Sequence, residues 1–183
     1  MKTKNILVLA ALIFSSILNV NKLFAQEPTS TDNVTLNIVL HEIQSIVVNK
    51  DKDHKTVNLE YKTMQDYQDG VSEERKKHLT VFSTGGFEVK VSSGEFTPSE
   101  AGRSISASDV IVQATNDAKG TVYDAVPLGS AQTLIASEVG GRDLEYNVTY
   151  NNKAAKGDKY INLYEKDGTN TFTTTVTYTI AAM

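Results

Sequence analysis

Thr171-Phe-Thr-Thr-Thr-Val-Thr-Tyr-Thr-Ile180 decides the fold class of this chain. Its even positions are Phe172, Thr174, Val176, Tyr178 and Ile180, and every odd position is threonine. A β-strand sends successive side chains to opposite faces, so one face of this stretch is large and mostly apolar and the other is a row of hydroxyls. β-branched and aromatic residues suit a pleated, half-buried surface. The period of two predicts a strand with its apolar side on a core and its threonine side facing solvent or a neighbouring element.

The same period recurs upstream. Val34, Leu36, Ile38 and Leu40 alternate with Thr35, Asn37 and Val39, and strands are further expected at Ile43–Val48 and Val57–Tyr61. His78–Ser83 and Phe87–Ser92 flank Thr84-Gly85-Gly86, which predicts strand, tight turn, strand with glycines at positive φ. Val139-Gly-Gly-Arg142 is a second hairpin signal, between Ala131–Ser137 and Asp143–Tyr150. Leu144, Tyr146, Val148 and Tyr150 share one face of that later strand. Val110–Ala114 and Tyr160–Tyr164 complete the strand candidates, with turns at Asn116–Gly120 and at Asp167-Gly168. Ser93–Ser108 reads as loop. Thr63–Lys77 is charged and poor in apolar residues, and reads as a long connection with a helical turn at Ser72–Lys77. About nine or ten short strands without a long helix predict an all-β protein, an antiparallel β-sandwich of immunoglobulin-like or jelly-roll-like form.

The first 25 residues have a different character. Lys2 and Lys4 precede an apolar run from Ile6 to Leu18, and Leu23-Phe24-Ala25 offers a small-residue cleavage site. That is the pattern of a signal peptide, and the run is short for a membrane span. The expected organisation is a signal peptide at 1–25, a polar lead-in at 26–33 and one sandwich domain at 34–183. The expected location is secreted, at the cell surface or in the periplasm, without membrane attachment after cleavage. Loss of three lysines with residues 1–25 moves the formal charge from −4 to −7. An acidic chain of this kind argues against nucleic acid and anionic lipid as partners. The 183 residues include no cysteine and no tryptophan, so thiol chemistry, thiolate metal sites and disulfides are excluded.

Little in the chain points to catalysis. His41, His54 and His78 are the only histidines, and His41-Glu42 lacks the second histidine of a zinc-protease helix. Asp51 and Asp53 open like a calcium loop, but its sixth position is Thr56 and its twelfth is Lys62, where glycine and glutamate are required. No nucleophile elbow, phosphate loop or dinucleotide fingerprint is present. The expectation is a non-enzymatic protein without cofactor or metal. Rows of threonine occur on ice-binding surfaces, but these need several such strands and here there is one. Among the aromatics, Tyr67 and Tyr123 lie near loops and are the candidates to face a ligand such as a sugar.

Two places resemble a known family. His78-Leu-Thr-Val-Phe-Ser-Thr-Gly-Gly-Phe-Glu-Val-Lys-Val91 is similar to the first motif region of WxL surface domains, and Thr175-Val-Thr-Tyr-Thr-Ile180 to the second. Phe87-x-Val89 and Tyr178-x-Ile180 stand where that family has Trp-x-Leu. The resemblance implies a secreted β-sandwich held non-covalently at the bacterial cell wall, with a wall or envelope polymer as partner. By their alternation, Phe87, Val89, Tyr178 and Ile180 are framework residues. The signal peptide, all-β domain and alternating C-terminal strand also resemble pilus and spore-coat-U type fibre subunits, although the cysteine pair of those proteins is missing. That resemblance implies like subunits as partners, with the segment ending at Leu40 donated as a strand to a neighbour. The functional expectation is therefore a structural protein of the cell surface, with fibre subunit and carbohydrate-binding module as alternatives.

Overall fold

The computed structural model describes residues 30–50, 55–97, 103–153, 158–167 and 170–183. The chain divides into two units, Met1–Val39 and Leu40–Met183. In the first, residues 30–39 have no regular secondary structure. The signal-peptide region and Gln26–Thr29 lie outside the described residues.

The second unit is built from two antiparallel sheets, as the alternation predicts. Nine strands occur among the described residues: β1 (Gln44–Val48), β2 (Ser72–Ser83), β3 (Phe87–Ser93), β4 (Ile111–Asn116), β5 (Thr121–Val122), β6 (Val126–Pro127), β7 (Gln132–Ser137), β8 (Gly141–Asn151) and β9 (Val176–Ala182). One sheet runs β1-β2-β8-β4-β5, with β6 also paired to β4; the other runs β7-β3-β9. The core lies between them. Leu79 and Val81 of β2, Val112 and Ala114 of β4, and Tyr146 and Val148 of β8 meet Phe87, Val89 and Val91 of β3 and Leu134 and Ile135 of β7. In β7 an extra residue opposite β3 breaks the alternation, so both Leu134 and Ile135 are buried.

The closing stretch keeps its two faces along its whole length. Phe172, Thr174, Val176, Tyr178 and Ile180 are half-buried, and all five intervening threonines are exposed. The ladder itself is shorter at one end and longer at the other than Thr171–Ile180. It begins at Val176 and reaches Ala182, with one isolated bridge from Thr173 to Thr97. Alternation sets the faces, but a ladder also needs a partner strand, and β3 ends at Ser93, opposite Val176.

Several expected strands take another form for the same reason. Val34–Leu40 forms no strand, and Val34, Leu36, Ile38 and Leu40 are 82–92 % exposed. Val57–Tyr61 forms no ladder either, yet Val57, Leu59 and Tyr61 turn inward while Asn58 and Glu60 face solvent. Tyr160–Tyr164 is not a strand; a 3-10 helix covers Asp158–Leu163. The helix expected at Ser72–Lys77 lies earlier, at α1 (Met64–Asp69). Thr63 caps it: its side chain accepts from the Asp66 N–H while the Asp66 carboxylate accepts from the Thr63 N–H. Ser72–Lys77 is instead the first half of β2, where pairing with β8 overrides local propensity and Glu73 and Arg75 form an ion pair on the half-buried face.

The two Gly-Gly stretches are not hairpins. β2 and β3 belong to different sheets, as do β7 and β8, so each stretch carries the chain across the sandwich. Neither Gly85 nor Gly86 has a positive φ. The glycines matter because the two corners abut. A Cβ on Gly140 would stand 2.2 Å from the Ser83 carbonyl oxygen, and one on Gly86 3.1 Å from that of Glu138. The hairpin with the predicted turn chemistry is β4–β5, where the Asn116 side chain accepts from the Lys119 N–H and Gly120 takes φ +62°. Gly168 of the other predicted turn lies outside the described residues.

Candidate functional site

Beyond the end of β3 the larger sheet projects past the smaller one, and irregular segments cover it. A cavity of about 1000 Å³ lies there. Val48, His78 and Tyr150 of the larger sheet form part of its wall, with Val57–Tyr61, Phe96, Val110, Tyr160, Phe172, Val176 and Tyr178 around it. The inward alternation of Val57, Leu59 and Tyr61 supplies one side, and the inward face of residues 172–178 supplies another.

Tyrosines dominate the polar part of this wall. Tyr61 packs against Tyr67 at 5.0 Å and edge-on to Tyr160 at 5.4 Å between ring centroids. The Tyr160 hydroxyl donates to Asp109 Oδ2 at 3.0 Å, and Lys159 Nζ lies 2.5 Å from Oδ1 of the same carboxylate. Asp109 is buried, so this pairing compensates its charge. Burial pushes the Tyr61 hydroxyl up to about 12 despite the Asn152 side chain facing it. Burial, reinforced by its donation to Asp109, raises Tyr160 further. The Tyr61 phenol stays protonated at neutral pH and can donate to an acceptor such as a sugar hydroxyl, whereas the one O–H of Tyr160 is committed to Asp109.

A second cluster joins the cavity to the core. The Tyr150 hydroxyl lies 2.9 Å from His78 Nε2 and 2.5 Å from the Tyr178 hydroxyl. Burial raises both phenols, Tyr150 to about 12 and Tyr178 well above its ordinary value. His78 opens the predicted strand His78–Ser83 and is 2 % exposed. Its burial follows from a bulge. The register between β2 and β8 jumps between Arg75 and Leu79, Lys77 takes φ +52°, and the Lys77 N–H donates to Asn147 Oδ1 at 2.8 Å. That irregularity turns both His78 and Leu79 inward.

The sequence candidates fall in different places. Tyr67 lines the cavity. Tyr123 does not; its ring lies 5.9 Å from that of Tyr146 and packs against the core. Phe87 and Val89 are fully buried. Tyr178 and Ile180 are half-buried on the neighbouring strand, with Ile180 opposite Val89 and Tyr178 opposite Val91. The two aromatic-x-aliphatic motifs therefore form adjacent strands of one sheet. Tyr61, Tyr160 and Asp109 had no distinguishing signal in the sequence, because a 3-10 helix and a non-ladder segment bring them together. His41 is exposed and His54 lies outside the described residues. Among the described residues no three histidine, aspartate or glutamate side chains are grouped to hold a metal ion.

Compared with protein-family models and with curated proteins, the chain matches none.

Proposed function

We propose that this protein is a secreted structural subunit of the bacterial cell surface that assembles with copies of itself by strand donation. The observation that carries this reading is Val34–Leu40. Four apolar side chains alternate along it, they are 82–92 % exposed, and the segment belongs to no strand. Such a pattern specifies a buried face, and a sheet edge of another molecule can bury it while taking up its backbone N–H and C=O groups. The signal-peptide pattern of residues 1–25 supports export. The absence of cysteine leaves association to packing and hydrogen bonding.

The test is the chain without residues 26–40. It stays a folded monomer by circular dichroism and light scattering, whereas the intact chain forms filaments or oligomers under the electron microscope. Unfolding of the shortened chain as a monomer makes the segment an internal strand and defeats the proposal.

The tyrosine-lined cavity favours a second reading, in which the subunit also holds a wall glycan. Aromatic rings beside protonated phenols suit a sugar face and its hydroxyls. Retention on purified peptidoglycan tests it, and a chain that passes through unretained rules it out.

A further inference from the structure

The alternation that builds the core continues past the end of β3, but there it faces a space. Three segments repeat the pattern of apolar inward and polar outward. Val57 and Leu59 are half-buried, between exposed Thr56, Asn58 and Glu60. Phe96 and Ile105 are half-buried beside exposed Glu95, Thr97, Ser104 and Ser106, and these two residues exchange backbone hydrogen bonds of 3.0 and 2.9 Å. Phe172 and Val176 alternate with exposed threonines. All six apolar side chains line the cavity of about 1000 Å³. Between the two sheets the same pattern gives complete burial: Val81, Val89 and Val91 are 0 % exposed. Protein interiors are close-packed, so six inward apolar side chains left half-buried are the lining of a core that lacks its filling.

The buried polar groups of the wall already have partners. The Tyr150 hydroxyl contacts His78 and Tyr178, the Tyr160 hydroxyl donates to Asp109, and Asn152 Oδ1 accepts from the Val71 N–H at 2.9 Å. A molecule carrying hydroxyls along its whole length would lose hydration among these side chains and regain few hydrogen bonds. Apolar surface gains by leaving water, and an apolar cavity takes an apolar guest more readily than water. The volume is that of a small-molecule site. Asn58, Glu60 and Lys62 belong to the same lining and are exposed, so a polar end can remain hydrated beside them. We propose that this cavity is a lipid site: it takes one aliphatic chain, which completes the core beyond β3, and leaves the polar head of the lipid at the solvated rim. This goes beyond the wall-glycan reading, which engages Tyr61 and Tyr67, and is tested apart from it.

The intact chain is titrated with a stearic acid that carries a nitroxide near its methyl end, and methyl resonances are followed by NMR. The expected result is saturable broadening of the Val57, Leu59 and Ile105 methyl signals, with none at Val47, which is 43 % exposed on β1. Leu59→Trp and Ile105→Trp each place an indole in the cavity from a different side. Each is expected to keep the circular dichroism of the parent and to lose saturable binding. Unlabelled palmitate and a lysophospholipid then compete with the labelled acid. Competition by palmitate alone assigns a free fatty acid, and competition by the lysophospholipid as well assigns the acyl chain of a larger lipid. Competition by neither overturns the site. So does broadening confined to the exposed apolar residues 34–40, absence of broadening, or binding that survives in both folded tryptophan variants. Retention of lipid-free protein on peptidoglycan separates the two readings. Retention without lipid binding overturns the lipid site and leaves the glycan reading standing, and lipid binding without retention does the reverse.

Discussion

Gly140 has no room for a methyl group. A Cβ there would lie 2.2 Å from the Ser83 carbonyl oxygen and 2.8 Å from the Gly85 nitrogen, and backbone atoms held in a sheet corner cannot step aside as a side-chain tip can. Gly140→Ala therefore costs about 1–3 kcal/mol, the range for overpacking, and lowers the denaturant midpoint. Gly85→Ala is its control. Nothing lies within 4 Å of the added carbon, and φ is not positive, so the midpoint stays unchanged or rises slightly. Equal losses in the two variants would show that glycine flexibility, not close approach, matters at these corners. This distinction was not legible in the sequence: both Gly-Gly pairs look like hairpin turns, and only the assignment of their flanking strands to different sheets turns them into contacts. The burial of His78 was hidden likewise, because it depends on a bulge against Asn147, which lies 69 residues later in the chain.

At the scale of elements, alternation was the reliable signal and pairing was not. The two faces of residues 171–180 were legible, as were the buried faces of β3 and β8, because each is encoded within a few residues. Whether an alternating segment acquires a ladder depends on a partner far away in sequence. Hence Val34–Leu40 and Val57–Tyr61 have strand patterns without ladders, while the charged Ser72–Lys77 has one. The tyrosine cavity was illegible for the same reason: Tyr67 reads as a ligand candidate from its place near a loop, but nothing local joins it to Tyr61, Tyr160 and Tyr178. The contrast between β3 and β9 yields a measurable difference. Phe87 is fully buried on the central strand of the smaller sheet, so Phe87→Ala costs about 3–5 kcal/mol. Ile180 keeps part of its surface in solvent, so in the monomer Ile180→Ala costs less, under about 2 kcal/mol, because only the buried part of the side chain is lost. Urea titration of dilute protein reads both. Equal costs would mean that the core flank along β9 is already closed.

For the whole molecule, the assembly proposed through residues 34–40 would make stability depend on concentration. A partner that binds only the folded state adds RT ln(1 + [L]/Kd), about 2.7 kcal/mol at 100-fold over Kd. For a chain of this size that is a rise of roughly 5–10 °C in Tm. The thermal midpoint of the intact chain should climb across a dilution series, while Ile38→Asp should keep a flat midpoint equal to that of the dilute parent. Ile38 is 82 % exposed, so a carboxylate there costs the monomer little, yet in an added strand it would be buried without a counter-charge. The two curves must therefore meet at low concentration and separate at high concentration. A variant that starts lower than the parent at every dilution would place Ile38 in the monomer's own core, and a flat parent curve would mean that the exposed alternating segment does not join one copy to another.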